Sequence, residues 1–205
     1  MNVSLLNKLF GNMDIYLLDQ LLKGRFSRDI KILDAGCGEG RNTVYFLKEG
    51  YQIFGLDQNP VAIQMARIQA QTIQQDYDIH RFQEALVEDM PFHKGAFHAI
   101  ISSAVLHFAE NTTHFHQMMD EMMRTLKPDG LFFLRMTTGF GGILAESASK
   151  GDGVYLLPDG SERFLLTDRL LGEIQEKHHL QNLEAPKSVL VHGQRAMGVF
   201  VMRKL

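Results

Sequence analysis

The sequence has little of what several classes of protein require. It holds one cysteine, Cys37, and no tryptophan in 205 residues, so no intrachain disulfide can form. No basic run is present and the formal net charge is −3, whereas nucleic-acid binding needs clustered Lys and Arg. The longest mostly apolar run, residues 96–108, is interrupted by His98 and two serines, which argues against a membrane span. We therefore expect no nucleic-acid partner, no membrane partner, no signal peptide and a cytoplasmic location.

Length and patterning favour one α/β domain. At 205 residues the chain can bury one substantial core, and strand-like runs alternate with helix-like runs. We predict a single domain over residues 1–205, with an N-terminal helical cap over residues 1–28. A methionine-rich stripe beginning near Asn111 has helical spacing and predicts a helix that faces the core.

A glycine-rich turn is the most informative segment. The apolar run Ile30–Asp34 ends in an acid, Gly36, Gly38 and Gly40 alternate after it, and a helical pattern follows from about Arg41. Glycine is needed where the backbone has positive φ or where a ligand approaches closely. A helix N-terminus behind the turn offers unpaired N–H groups and a partial positive charge. The pattern predicts a nucleotide-type cofactor site.

A second strand-like run, residues 52–57, ends in Asp57, 17 residues after Gly40. A carboxylate at this position in a doubly wound sheet accepts hydrogen bonds from ribose hydroxyls. A glycine turn with the right strand before it and the right acid beyond it is far more specific than a glycine turn alone.

The spacing G-x-G-x-G, with Asp34 two residues ahead of it, differs from the dinucleotide pattern G-x-G-x-x-G. A carboxylate there repels a pyrophosphate but suits a ligand with an ammonium and a sulfonium. Residues 34–40 resemble the first motif of the class I S-adenosylmethionine-dependent methyltransferases, and Asp57 resembles their ribose-binding acid. Residues 40–51 are similar to the tellurite-resistance and small-molecule branch of that superfamily.

The resemblance covers roughly residues 30–136, with later motifs at residues 90–92, 96–103 and 126–134. It implies a doubly wound, seven-stranded, Rossmann-like methyltransferase sheet and S-adenosylmethionine as cofactor. Residues 188–192 and 197–202 read as two strands joined through Gly193, which predicts the C-terminal antiparallel hairpin of that sheet. The cofactor-binding residues that it implies are Asp34, Gly36, Gly38, Arg41, Asn42, Asp57, Gln58, Leu86, Val87 and Ser102.

Their expected roles differ. Gly36 and Gly38 let the backbone approach the methionine and ribose portions, and Arg41 and Asn42 flank the methionyl end. Gln58 lies along the adenine, and Ser102 faces the methyl-donor centre.

The adenine contact departs from the family pattern. Relatives have an acid about four residues before a Pro-Phe pair, and the simplest alignment puts Leu86 there. Two alternatives remain for this chain. Either backbone groups near Leu86 and Val87 contact the adenine amine, or the carboxylate of Glu88 or Glu84 does so.

His107 is the candidate general base, because it follows the fourth strand into the predicted cleft. The alternative is a hydrogen-bonded structural histidine, and soft nucleophiles need no base. The other histidines at close spacing, His114 with His116 and His178 with His179, lack accompanying Cys, Asp or Glu ligands. We interpret them as solvated helix faces and predict no metal site.

Residues 137–163 contain six glycines and a Pro158-Asp159-Gly160 turn. A long glycine-rich loop leaving the carboxyl edge of a strand predicts a lid over the ligand; the alternative is a surface insertion without a role.

Three functions remain open from the sequence. The leading hypothesis is a methyltransferase that acts on a small-molecule acceptor as a monomer or homodimer. An NAD-dependent oxidoreductase is disfavoured by the glycine spacing, by Asp34 and by the hairpin. A non-catalytic S-adenosylmethionine-binding protein is the third.

Overall fold

Strands and helices alternate along most of the chain in the computed structural model, which describes residues 2–205. The helices are α1 Val3–Phe10, α2 Ile15–Leu22, α3 Val44–Lys48, α4 Pro60–Ile73, α5 Thr112–Thr125, α6 Ile143–Glu146 and α7 Asp168–Lys177. The strands are β1 Lys31–Ala35, β2 Gln52–Asp57, β3 Phe82–Glu84, β4 Phe97–Ser103, β5 Leu126–Thr138, β6 Ala148–Gly151, β7 Val154–Leu156, β8 Glu162–Phe164, β9 Leu180–Asn182, β10 Lys187–Val191 and β11 Arg195–Lys204.

The main sheet has the order β10-β11-β5-β4-β1-β2-β3. Strands β3, β2, β1, β4 and β5 run parallel, whereas β11 is antiparallel to both β5 and β10. The predicted fold class and its C-terminal hairpin are confirmed. Beyond the seven strands expected, the short β9 pairs with β11. The chain leaves β1 in one direction and returns to β4 on its other side, so a crevice opens at their carboxyl ends.

Both faces of the sheet are covered. On one face α5 and α7 pack with buried Phe115, Met119 and Ile174. On the other face α2, α3 and α4 pack with buried Leu17 and Phe46. The methionine stripe is therefore core, as its helical spacing predicts, and the parallel strands are buried from both sides.

Polar caps set the helix starts. The Asn59 side chain accepts hydrogen bonds from Val61 N and Ala62 N, with Pro60 at the first helical position of α4. Asn111 caps α5 and Thr167 caps α7 in the same way. Side-chain caps of this kind stabilise a helix end by about 1 kcal/mol.

The turn after β1 is longer than the sequence suggests. The helix begins at Val44 rather than near Arg41, because Gly36, Gly38 and Gly40 all have positive φ. Backbone bonds from Gly40 N to Cys37 O and from Thr43 N to Gly40 O close consecutive turns. Residues 36–43 therefore form a glycine turn that presents backbone to the crevice.

Residues 137–163 are not an irregular loop. Thr137 and Thr138 end β5, α6 follows, and β6, β7 and β8 form a separate three-stranded antiparallel sheet. Gly153 is required there, because a Cβ on it would lie 2.3 Å from the Phe164 ring. Thr138 bridges to Leu166, so this small sheet is tied to the end of β5.

The N-terminal segment contains two helices, α1 and α2. Phe10 of α1 stacks on Tyr45 of α3 with ring centroids 5.1 Å apart, and Asp14 caps α2. Within residues 2–205, no helix combines the length and apolar character needed to cross a bilayer.

Candidate functional site

A cleft of about 320 Å³ opens where β1, β2 and β4 end. Four of the residues predicted from the sequence line it: Gly36, Asp57, Gln58 and Val87. The rest of its wall is formed by Asn59, Glu88, Ala104, Val105, Phe108, His114 and Met118.

Asp57 is fixed by backbone donors. Its Oδ2 accepts a hydrogen bond from Gly38 N at 2.9 Å, and its Oδ1 accepts one from Asn59 N at 2.9 Å. Each carboxylate oxygen keeps a further lone pair. The side chain is thus held rigidly in the wall with acceptor capacity left for a ligand with hydroxyl donors.

The three glycines of the turn have different surroundings. A Cβ on Gly36 would lie 2.4 Å from the Val105 side chain, and a Cβ on Gly40 would lie 2.9 Å from Thr43 Oγ1. A Cβ on Gly38 would meet nothing within 4 Å. Gly36 and Gly40 therefore allow close packing of the protein itself. Gly38 leaves open space in front of the backbone, as a ligand cradle requires.

Asp34 lies behind the turn, outside the cleft wall and 2% exposed. Its Oδ2 has no hydrogen-bond partner among the described residues. Burial raises the pKa of Asp34 to about 7; the Arg41 charge opposes this shift and the charges of Asp57 and Asp14 add to it. A cationic ligand beside this carboxyl would favour its ionised form, so the site fits a ligand with an ammonium group.

Asn42 has a structural contact in the glycine turn. It is buried, and its Oδ1 accepts a hydrogen bond from Asp14 N at 3.0 Å. Asn42 therefore ties the glycine turn to the start of α2. Arg41 is half exposed, and its guanidinium lies 3.9 Å from Asp14 Oδ2.

Asp14 is the centre of a buried polar network. Its Oδ1 accepts from Tyr16 N and Leu17 N, while its Oδ2 accepts from Ser103 Oγ and from Arg135 Nη1 at 2.8 Å. The network joins α2 to the carboxyl ends of β4 and β5. It brings the N-terminal cap to the functional edge of the sheet.

On the adenine side of the expected site, Leu86 is not part of the cleft wall and is 45% exposed. Its neighbours Val87 and Glu88 line the cleft. Glu88 Oε1 lies 3.2 Å from His114 Nε2. Of the alternatives open from the sequence, Glu88 is thus the carboxylate that faces the cleft, and Glu84 lies outside its wall.

Ser102 is fully buried and outside the cleft wall, and its hydroxyl has no hydrogen-bond partner among the described residues. The next two residues reach the functional edge instead, because Ser103 bonds to Asp14 and Ala104 lines the cleft. Ala104 has φ +63°. Such backbone strain in a residue other than glycine is most often found at functional sites.

His107 lies in a short 3₁₀ turn, Leu106–Phe108, and is 7% exposed. It is not part of the cleft wall, but its ring packs against Phe108, which is, with centroids 4.5 Å apart. Burial, followed by the charges of Arg163, Arg195 and Arg135, lowers the pKa of His107 to about 4. His107 is therefore neutral near pH 7.

Sequence reasoning missed His114 and Phe108 as cleft residues. The interpretation of His114 as a solvated face is wrong, because its side chain is largely buried against Glu88. His114 lies in the first turn of α5, and nothing in the local sequence indicates that its side chain faces the cleft. Within residues 2–205 no group of three or more His, Cys, Asp or Glu side chains is placed to hold a metal ion.

A family profile and the two relatives described below are all methyltransferases by description. Residues 33–134 match the profile described as a methyltransferase domain. An uncharacterized methyltransferase of Synechocystis sp. is 33% identical over 104 residues, covering 51% of this chain and 45% of the relative. An uncharacterized methyltransferase of Bacillus subtilis is 32% identical over 111 residues, covering 54% and 45%. The chain thus spans less than half the length of these two relatives.

Among solved structures, the 1,6-didemethyltoxoflavin-N1-methyltransferase of Burkholderia thailandensis superposes with a TM-score of 0.67 at 19% identity. The match covers 98% of this chain and 85% of that one. That structure contains 1,6-didemethyltoxoflavin and S-adenosylhomocysteine. At this identity, the likeness establishes the fold alone.

Proposed function

Because the chain belongs to the class I S-adenosylmethionine-dependent methyltransferase superfamily, we propose that it transfers a methyl group from S-adenosylmethionine to a small-molecule acceptor by in-line displacement. The observation that carries the proposal is the pairing of the open backbone at Gly38 with the fixed carboxylate of Asp57.

Different residues around the cleft would bind different parts of the cofactor. Asp57 would accept hydrogen bonds from the ribose hydroxyls, and Gly38 would let the ligand approach the backbone. Asp34 would be held ionised by the ligand's ammonium group, since a nearby cation lowers a carboxyl pKa. Arg41, which is exposed and lies 3.9 Å from Asp14 Oδ2, would hold the methionyl carboxylate.

Gln58 and Val87 would flank the adenine. Glu88 would accept a hydrogen bond from the exocyclic amine, in place of the acid that Leu86 replaces. His114, whose Nε2 lies 3.2 Å from Glu88 Oε1, would limit the movement of the carboxylate. A carboxylate that a second side chain holds in place discriminates better than a mobile one.

When bound, the cofactor supplies a methyl group attached to a sulfonium sulfur, and the leaving group is the neutral thioether. The protein's own contribution is positioning and exclusion of water, and orientation alone is worth up to about 7–11 kcal/mol in favourable cases. Ala104 and Val105 line the cleft, and the 3₁₀ turn that carries His107 follows them in the chain. Strand β8 packs on that turn, and the β6–β8 sheet acts as the lid over the acceptor.

His107 meets the acceptor in its neutral form. A buried imidazole with a pKa of about 4 is a poor general base near pH 7, because proton transfer is most efficient when the pKa lies close to the working pH. We therefore expect acceptors that are already anionic or strongly nucleophilic. His107 then orients the nucleophile by a hydrogen bond.

The test is turnover with a chemically broad acceptor panel. Purified protein is incubated with S-adenosylmethionine and thiols, phenols, carboxylic acids or amines, and S-adenosylhomocysteine is measured by mass spectrometry. We expect product with at least one class and none with a Gly38→Val variant. Binding of S-adenosylhomocysteine without turnover in any class would instead identify a non-catalytic binding protein.

A further inference from the structure

A second cavity, of about 530 Å³, lies at the opposite edge of the main sheet from the cofactor cleft. It is lined by the segment between α2 and β1, by His98 near the start of β4 and by Arg203 near the end of β11. Lys31, where β1 begins, donates its backbone N–H to His98 at 3.1 Å, whereas the cofactor cleft opens where β1 and β4 end. The two cavities share no lining residue within residues 2–205, so the cofactor site does not account for the second one.

Cationic and apolar side chains line this second cavity together. Leu131 and Arg203 are paired directly across β5 and β11, so their side chains lie next to each other on one face of the sheet. Leu131 also packs against the core on the α2 side of the sheet. The cavity is called here the basic cavity, after the basic residues in its lining, Lys23, Arg25, His98 and Arg203. Its apolar lining residues are Ile30, Leu131 and Leu183.

Lys23 and Arg25 belong to a charge cluster that holds more cations than carboxylates. Lys23 pairs with Asp19 at 2.7 Å and with Glu184 at 2.8 Å, and Arg25 pairs with the same Glu184 at 3.3 Å. Lys187 pairs with both carboxylates as well. Three cations therefore share two carboxylates. In addition, the buried Nε of Arg25 has no hydrogen-bond partner among the described residues.

Arg203 adds a further positive charge to the basic cavity. Within residues 2–205, no carboxylate lies within ion-pair distance of its guanidinium. In that part of the chain Asp129 is the one carboxylate that lines the cavity. Together with the charge cluster, four cations meet three carboxylates in this region, so one positive charge is left for a ligand to balance.

His98 has more donors around it than it can accept from. Its Nδ1 lies 3.1 Å from Lys31 N, and its Nε2 lies 2.7 Å from Lys127 Nζ. A neutral imidazole has only one acceptor nitrogen, so in either tautomer one of these contacts sets two donors against each other. Burial, followed by the Lys127 charge, lowers the pKa of His98, which keeps the ring neutral near pH 7. A ligand that supplies an acceptor beside His98 would relieve this contact.

We propose that the basic cavity binds a small organic anion, in which a carboxylate or phosphate group is joined to an apolar body. The guanidinium of Arg203 binds such a group with two parallel hydrogen bonds, and Arg25 supplies a further donor. Leu131 and Leu183 contact the apolar body. Because the cavity and the cofactor cleft lie at opposite ends of β1 and β4, this ligand is neither the cofactor nor the methyl acceptor.

The test is calorimetric titration of benzoate, benzamide, phenyl phosphate and inorganic phosphate into the purified protein, with and without excess S-adenosylhomocysteine. We expect benzoate or phenyl phosphate to bind about tenfold more tightly than benzamide, the ratio for one hydrogen bond to a charged group. The same organic anion should bind more tightly than inorganic phosphate, because it also covers apolar surface. S-adenosylhomocysteine should leave its affinity unchanged.

Two substitutions with opposite effects locate the site. Arg203→Gln should weaken binding of the organic anion about tenfold, because it removes the cation that lacks a partner. Asp129→Asn should strengthen that binding, because it removes the carboxylate from the cavity lining. Asn also tolerates the φ of 60° that Asp129 has. Arg169→Gln, which breaks only the exposed pair with Glu173 on α7, is the control and should have no effect.

The contrary results are distinct. Organic anions that bind no better than benzamide, or an affinity that Arg203→Gln leaves unchanged, would overturn the anion site. Inorganic phosphate that binds as tightly as both organic anions would contradict the apolar body. Loss of anion binding when S-adenosylhomocysteine is present would place the anion in the cofactor cleft instead. Thermal unfolding of each variant shows whether the loss of binding is separate from a loss of folding.

Discussion

Gly38 donates its backbone N–H to the carboxylate of Asp57 at 2.9 Å. This bond joins the glycine turn after β1 to the end of β2, so the two halves of the cofactor motif move as one unit. Gly36 of the turn and Asp57 both line the cleft. The predictions below start from this unit.

Replacing Gly38 with Val should abolish S-adenosylhomocysteine binding while the protein still folds. The added side chain fills open space rather than the core, and the strain of positive φ costs about 1–2 kcal/mol. Gly24→Val is the matched control, because Gly24 also has positive φ and open surroundings. Calorimetry and thermal unfolding of both variants separate strain from loss of binding; retained affinity in Gly38→Val would remove the turn from the site.

Asp34 should make stability depend on pH. Its folded pKa of about 7 lies above the ordinary aspartate value of 3.8, so the unfolded chain releases this proton first as the pH rises. The free energy of unfolding should therefore fall between about pH 4 and pH 7, by about 2–4 kcal/mol from this group. Asp34→Asn should flatten that part of the profile in urea titrations and be more stable than the parent at pH 8. An unchanged profile would contradict the burial argument.

The same carboxyl should make cofactor affinity rise with pH. Because a bound ammonium favours ionised Asp34, binding below pH 7 releases a proton, and the affinity should increase up to about tenfold per pH unit. Calorimetry with S-adenosylhomocysteine between pH 5.5 and 7 measures this. Asp34→Asn should bind more weakly and show a shallower dependence; an equal slope in that variant would assign the proton elsewhere.

Glu88 should be the carboxylate that reads the adenine. Glu88→Gln should weaken S-adenosylhomocysteine binding by about 1–2 kcal/mol, as expected for loss of a charged hydrogen-bond acceptor. Glu84→Gln, at an exposed position outside the cleft wall, is the control and should have no effect. A larger loss of binding in Glu84→Gln than in Glu88→Gln would instead favour Glu84 as the carboxylate that contacts the adenine.

Asp14 should anchor the N-terminal helices. Its side chain is 1% exposed and paired with Arg135, so Asp14→Ala should lower the free energy of unfolding by about 3 kcal/mol. Glu173→Ala breaks only the exposed pair with Arg169 and should change it by less than about 1 kcal/mol. Equal, small effects in urea titrations would mean that the cap is held by apolar packing alone.

Local sequence patterns predict much of the fold. The glycine turn, the acid ending β2 and the methionine stripe are each encoded within a few residues. They therefore predicted the α/β sheet, its hairpin and the position of the cleft. The exact start of α3 was missed, because consecutive glycine turns delay a helix that apolar spacing alone places earlier.

Contacts between distant segments could not be read in this way. Asp14 and Arg135 are 121 residues apart, and no local pattern predicts that they pair or that Asn42 is used to hold α2. The glycine-rich segment predicted a loop, whereas pairing among β6, β7 and β8 orders it as a sheet.

The most direct test of the account is calorimetric titration of the parent protein and of Asp57→Ala with S-adenosylhomocysteine, with NAD in a parallel cell. We expect micromolar binding of S-adenosylhomocysteine alone, weakened by roughly 1–3 kcal/mol in the variant. Equal affinity in the two proteins, or binding of NAD alone, would contradict the assignment of this cleft to S-adenosylmethionine.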